Sequence, residues 1–353
     1  MRTGTRGGLT RHVGALCDRS RRRVIGVNVA VIGMGLIGGS LLRALAEAGH
    51  WVIGYDLDPA TRAMARTAAA QAPKASRWQV APTIADAVAS VDLVVVATPL
   101  TAVAHVLDAV AGAGYAGLVT DVVSVKEPVR DLVARRLRGG GMRLAGYVGG
   151  HPMAGRETAG FAATDPALFR GCAWVLCLDQ ETRLGDWLTV ARLVTSLGAR
   201  VVPTTAEDHD RAVATVSHVP HLLAAALAIA ADDPLAATLA AGSFRDGTRV
   251  ASSAPELIAS MCGGNAGPVL DALEAIIGEL DEARAALESA DPIAAVRHWV
   301  TPGNAARTSW PRGWGEPKEI PATAEDLLIL GDEGGWITDV SPDSRTVTSV
   351  RPI

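Results

Sequence analysis

A doubly wound α/β domain, then an all-helical domain and a short β-rich tail, is the architecture the sequence predicts. Three observations predict it. Residues 27–203 alternate short β-branched runs with Ala- and Leu-rich stretches of helical period, the rhythm of βαβ units around a parallel sheet. From Thr204 to about Val300 helical period dominates and no strand-like run interrupts it. A chain of 353 residues, 49% hydrophobic and 20% charged, has the length for about two domains and the apolar content to bury their cores.

Taken in order, residues 1–26 read as a disordered basic tail: the first 23 carry seven arginines against one acid, Asp18. They lack the apolar core of a secretory signal. Strands are expected at 27–33, 51–56, 92–98, 118–123, 143–148, 173–178 and 200–203. Leu93-Val94-Val95-Val96-Ala97 is apolar without alternation, as a strand covered on both faces must be. In the second domain, residues 204–300, Thr205 can cap a helix whose first turn holds Glu207 and Asp208 at the positive end of the dipole. Breaks fall near 232–234, 252–255 and 263–265. The extension 301–353 begins with Thr301-Pro302-Gly303. Short runs at 327–330, 336–340 and 346–350, separated by turn residues, predict a small β-meander packed on the body.

Several function classes are disfavoured. A formal net charge of −4 gives no electrostatic reason for a nucleic-acid partner. Cys17, Cys172, Cys177 and Cys262 form neither a CxxC pair nor a zinc array, so no metal site is expected and the thiols suit a reducing cytoplasm. The longest apolar stretch, 222–231, is short of the ~20 residues of a membrane span.

The first strand runs into Gly33-Met34-Gly35-Leu36-Ile37-Gly38 and then into a helix, the context that makes GxGxxG a dinucleotide fingerprint. Gly33 serves the tight turn, Gly35 lets backbone approach a pyrophosphate, and Gly38 lets helix and strand pack closely. The N–H groups at the helix start, around Leu36 and Ile37, supply the anion site. Asp56 ends the second strand 23 residues after Gly33, where a carboxylate meets the adenosine ribose. Its neighbour Leu57 offers no cation to a 2′-phosphate, which favours NAD over NADP, although Arg62 and Arg66 follow on the next helix. Thr98-Pro99 closes a further strand at the same carboxyl edge.

In Gly149-Gly150-His151-Pro152 a histidine stands just past a strand, on that edge. Its ordinary pKa lies near neutrality, so it can take a proton while a hydride leaves. A strand-end histidine by itself serves structure as often as catalysis; the flanking glycines and proline fix the backbone around this one. Ser124, past the strand at 118–123, emerges at the same edge, where it can orient a substrate alcohol and His151; a helix N-cap is the plain alternative, compatible with that role. In the helical domain Ser217 and His221 are four residues apart on one helix face, with Pro220 loosening the backbone between them. A core role for the histidine pair of this segment, His218 and His221, stays open. Arg245 and Arg249 flank Asp246 in a helix break, as a carboxylate anchor or an interdomain salt bridge.

Together these segments resemble a family. VIGMGLIGGS, ATP at 97–99, DVVSVK, GGHPMAGRETAG, HDRAVATVSHVPH and FRDGTR occur in the order found in prephenate dehydrogenases of tyrosine biosynthesis, across roughly residues 27–265. The resemblance implies that His151 bonds the ring hydroxyl of prephenate with help from Ser124. It also implies that His221 lines the substrate pocket with Ser217 beside it, that Arg249 holds a carboxylate, and that Glu157 is a pocket glutamate. Arg156, where members often carry Thr or Ser, and Ile258, near an expected Trp, depart from the pattern. Nothing after residue 300 resembles the ACT domain some members append. The implied protein is an NAD-dependent enzyme of a small-molecule substrate, and the apolar helical domain predicts a homodimer. Its rivals are an arogenate dehydrogenase, a β-hydroxyacid dehydrogenase and a non-catalytic NAD-binding protein. The second of these needs a catalytic lysine, and none occurs between Lys126 and Lys318.

Overall fold

The computed structural model describes residues 26–156 and 158–353; the basic segment 1–25 lies outside them. Up to residue 148 strand and helix alternate: β1 (Asn28–Ile32), α1 (Leu36–Glu47), β2 (Trp51–Tyr55), α2 (Pro59–Gln71), β3 (Gln79–Val80), α3 (Ile84–Val88), β4 (Leu93–Val96), α4 (Leu100–Gly112), β5 (Leu118–Asp121), α5 (Glu127–Arg138) and β6 (Gly146–Val148). The six strands form one parallel sheet in the order β3-β2-β1-β4-β5-β6. Val29 to Ile32 and Leu93 to Val96 are buried, because helices cover both faces and leave an apolar cluster on each. Strand order reverses between β1 and β4, which opens a crevice at the carboxyl ends.

Only Gly149 separates β6 from β7 (Gly150–Pro152), and there the chain leaves the first sheet for a second. A side chain at position 150 would bring a Cβ within 2.6 Å of the Asp121 carbonyl, so only glycine lets the chain pass this close to β5. β8 (Ala173–Cys177), α6 (Leu184–Ser196) and β9 (Arg200–Thr204) follow. The helical region holds α7 (Ala206–Val213), α8 (Val219–Ala230), α9 (Pro234–Leu239), α10 (Gly242–Thr248), α11 (Pro255–Gly264), α12 (Ala266–Glu288) and α13 (Pro292–Thr308). The tail adds β10 (Lys318–Pro321), α14 (Ala324–Asp332), β11 (Trp336–Val340) and β12 (Thr346–Val350). The second sheet is mixed, in the order β10-β12-β11-β9-β8-β7. The runs near 173–178 and 200–203, expected in the parallel sheet, therefore build this second layer, still paired parallel across α6.

The tail packs on the body as expected, but as part of the second sheet rather than as a meander of its own. β11 sets Ile337 opposite Val201 of β9, and the Arg200 guanidinium lies 4.9 Å from the Trp336 ring and 5.5 Å from that of Trp314. The expected strand at 327–330 is helix α14. Thr323 caps it by accepting the Asp326 N–H, and Leu327 and Leu330, one helical turn apart, are fully buried. Each such burial contributes about 1.5–3 kcal/mol. Thr301 to Gly303, expected to end the helical domain and open the extension, lies inside α13. Pro302 removes one N–H there, on a helix whose residues stay exposed, so water can serve the freed carbonyl.

α7 and α8 are one continuous helix, joined by a π-helical turn at Ala214–His218. Pro220 lacks the N–H that would serve the Val216 carbonyl, and the wider turn sits just before it. Thr205 caps the start, its Oγ1 accepting the Asp208 N–H at 3.1 Å. By length and composition Ala206–Ala230 could cross a membrane, contrary to the expectation drawn from 222–231 alone. Its first turns, however, bury His209 and Asp210 inside the protein.

Candidate active site

The glycine-rich loop leaves β1 and enters α1. Gly33 has φ +100°, and a Cβ there would lie 2.4 Å from the Ala97 carbonyl oxygen. A Cβ on Gly38 would lie 1.9 Å from the Gly33 oxygen, whereas one on Gly35 meets nothing within 4 Å. The helix and β4 thus close tightly on two sides and leave the middle open. Among the described residues no side chain caps α1, so the N–H groups around Leu36 and Ile37 face the opening at the positive end of the dipole. Asp56, one residue past β2, accepts the Met34 N–H at 2.7 Å and the Asp58 N–H at 2.9 Å, which ties the second strand end to the loop. Arg62 donates to the Asp56 and Leu57 carbonyls and stacks 5.6 Å over the Tyr55 ring. Thr98 follows β4; its buried Oγ1 has no hydrogen-bond partner among the described residues, and Pro99 opens α4 beside it.

His151 lies in β7, directly past the seam between the sheets. Its backbone is clamped from β5. Lys126, fully buried, ion-pairs with Asp121 and donates to the Gly150 carbonyl at 2.6 Å; the Tyr147 hydroxyl donates to the other Asp121 oxygen at 2.6 Å. Ser124 sits half-buried in the loop between Asp121 and Lys126, the two residues that grip position 150. The His151 Nδ1 is 2.8 Å from Nε2 of His209, whose own Nδ1 is 2.7 Å from Asp210. Asp210 accepts the N–H groups of Lys126 and Glu127 at 2.8 and 2.9 Å, at the start of α5. Burial, then His209, Lys126 and His218, push the His151 pKa well below the usual histidine value. A ring held through Nδ1 and uncharged at neutral pH is suited to accepting a proton at its other nitrogen.

Of the helical-domain candidates, Ser217 and His221 lie further along the same long helix. His221, at the start of α8, donates from Nδ1 to the Ser217 carbonyl at 2.8 Å, while the Ser217 hydroxyl approaches the Met261 sulfur at 3.9 Å. The two residues are therefore linked through backbone rather than through paired side chains. Arg249 begins the 3₁₀ turn Arg249–Ser252, which packs on α8. Glu157 lies outside the described residues. Sequence reasoning assigned no role to Asp121, Lys126, His209, Asp210 or Asn265. Asn265 donates to the Asp210 carbonyl at 2.7 Å and contacts Nδ1 of His218 at 3.1 Å. A signal was present in DVVSVK: a charge at each end of an apolar run needs a buried partner.

Comparison with known proteins places this geometry in context. The prephenate dehydrogenase nucleotide-binding domain matches residues 41–203, and the prephenate dehydrogenase dimerization domain matches 205–298. The chain is 30% identical to the prephenate dehydrogenase of Bacillus subtilis (strain 168) over 342 residues, 92% of this chain and 88% of that one. A crystal structure from Corynebacterium glutamicum assigned to prephenate dehydrogenase is 37% identical, with TM-score 0.73 over 81% of this chain and 90% of that one. Synechocystis arogenate dehydrogenase is 27% identical, with TM-score 0.67 over 80% and 99%.

Proposed function

The chain belongs to the prephenate dehydrogenase family, and on that premise we propose that it catalyses NAD-dependent oxidative decarboxylation of prephenate to 4-hydroxyphenylpyruvate in tyrosine biosynthesis. One observation carries this reading. The open glycine loop, Asp56, Thr98 and His151 all follow carboxyl ends of the parallel strands, at one edge of the sheet.

The residues fit a dinucleotide. The room at Gly35 and the uncapped start of α1 suit a pyrophosphate, the Asp56 carboxylate suits ribose hydroxyls, and the orphaned Thr98 hydroxyl awaits a partner. The carboxylate opposes a 2′-phosphate, and Arg62 is already committed to the Asp56 and Leu57 carbonyls, which supports NAD over NADP. Bound there, NAD⁺ supplies the acceptor for the hydride that leaves C4 of the cyclohexadienol. His151 accepts the proton of the ring hydroxyl, with Ser124 orienting that group. Arg249 anchors the side-chain carboxylate, with His221 and Ser217 on the pocket side, while the ring carboxylate leaves as CO₂. Aromatisation supplies most of the driving force, so the protein chiefly positions the substrate.

The second substrate reading is arogenate, favoured by the Synechocystis likeness. NADH formation measured with prephenate and arogenate, each with NAD⁺ and NADP⁺, tests both: turnover is expected with prephenate and NAD⁺. Activity on arogenate alone would move the assignment to the amino substrate, and inertness toward both would end it. A cytoplasmic homodimer belongs to the same reading. Support comes from the apolar residues left exposed on the helical domain, Leu227, Leu270, Ile277 and Leu280 among them.

A further inference from the structure

We infer that His209 and Asp210 are positioning residues that hold His151 in its Nδ1–H tautomer, leaving Nε2 as the bare lone pair that accepts the substrate proton. The inference rests on the proposed role of His151 as the base, and it adds two residues from the other domain to that role.

The chain of donors and acceptors has one consistent assignment. Asp210 receives the backbone N–H groups of Lys126 and Glu127 at 2.8 and 2.9 Å, at the positive end of α5. Burial opposes its ionisation, but the bonds from His209 and these two amides outweigh it and hold the carboxyl below its ordinary pKa. An ionised carboxylate only accepts, so the His209 Nδ1, 2.7 Å away, carries a hydrogen. His209 is buried with its side chain 1% exposed and close to the Lys126 cation, surroundings that keep its ring neutral. A neutral ring protonated at Nδ1 has a lone pair at Nε2. That lone pair meets the His151 Nδ1 at 2.8 Å, and two lone pairs do not face each other at this distance. His151 therefore donates from Nδ1, and its own Nε2 is bare.

The other ionisable groups packed around the pair leave this assignment standing. Asp121 is taken up by Lys126, Tyr147 and the Val123 N–H, and the His218 Nδ1 faces the Asn265 amide at 3.1 Å. A free imidazole prefers the opposite tautomer, with the hydrogen on Nε2, in which His151 would present a donor to the substrate where an acceptor is required. The relay also spans the domains: His209 and Asp210 belong to α7, His151 to β7 and Lys126 to the start of α5. The base is thus set only when the helical domain is docked on the α/β domain.

Imidazole nitrogen NMR on the full-length protein with ¹⁵N-labelled histidine reads the tautomer directly, without substrate. The wild type is expected to show His151 protonated at Nδ1. His209→Leu should shift it toward Nε2–H and lower kcat on prephenate by roughly 10- to 100-fold, with KM changed only a few-fold. His209→Gln offers an amide oxygen to the same N–H and should restore both the tautomer and most of kcat. A wild-type His151 protonated at Nε2 would overturn the proposal, as would a His209→Leu protein that keeps both tautomer and kcat. Should the leucine variant fail to fold, the wild-type spectrum and the glutamine variant decide. A protein inert toward prephenate with His151 still protonated at Nδ1 would refute the reaction and leave the relay in place.

Discussion

To accept a proton near neutrality His151 has to be uncharged, and its surroundings push it that way: burial first, then His209, Lys126 and His218. Protonated His151 is inactive, and its pKa in the folded protein lies below the ordinary 6.5, so kcat/KM should stay on its plateau through pH 6.5 and fall only at lower pH. A pH profile whose acid limb sits above 6.5 would contradict this. His151→Asn keeps a polar group of similar size but removes the base; turnover should drop by about 10²–10⁴-fold while NAD⁺ binding, measured by calorimetry, persists. Lys126 poses a different residue-scale question, because its ammonium and the Asp121 carboxylate are both essentially unexposed. Lys126→Met leaves that carboxylate buried and uncompensated, and should cost about 3–5 kcal/mol in urea unfolding. The sequence displayed His151 through its strand-end position and flanking glycines. His209 stayed hidden, because its partner lies 58 residues away and nothing local announces the contact.

Among the elements, the β1–loop–α1 unit was legible because its strand, its glycine spacing and its helix are neighbours along the chain. Gly38 illustrates the reason: a Cβ there would press on the Gly33 carbonyl at 1.9 Å and on Ala97 at 2.8 Å, so the crossing of helix and strand dictates the residue. Gly38→Ala should push α1 off the sheet, weakening NAD⁺ binding by roughly tenfold or more and lowering stability by about 1–3 kcal/mol; titration of cofactor fluorescence and thermal melts would register it. The element at 327–330 was misjudged for an equally physical reason. Four apolar residues in a row suit a buried strand and a buried helix alike, and the deciding cap, Thr323 with Asp326, stands just outside the run. The interruption at 301–303 failed because Pro302 costs little on an exposed helix whose freed carbonyl meets water.

At the scale of the whole molecule, the two sheets and the long helix Ala206–Ala230 draw the proposed site residues from separate parts of the chain. On α12 the exposed Leu270, Ile277, Leu280 and Leu287 recur at heptad spacing, a seam of the kind that packs against another helix. The double variant Ile277→Lys, Leu280→Glu should give a monomer by light scattering with its circular dichroism unchanged, because surface substitutions alter intrinsic stability by only about 0.5 kcal/mol. A dimer that survives both charges would place the interface elsewhere. The sequence by itself determined what depends on neighbours along the chain: the βαβ rhythm, the glycine loop and the Thr205 cap. Tertiary structure alone decided that the strands at 173–177 and 200–204 join the tail in a second sheet. It also brought Asp210 across 84 residues to the Lys126 amide, thereby orienting His151. Periodicity and caps are local properties of a few residues, whereas sheet partnership and side-chain relays are settled by the packing that buries unpaired polar groups against one another.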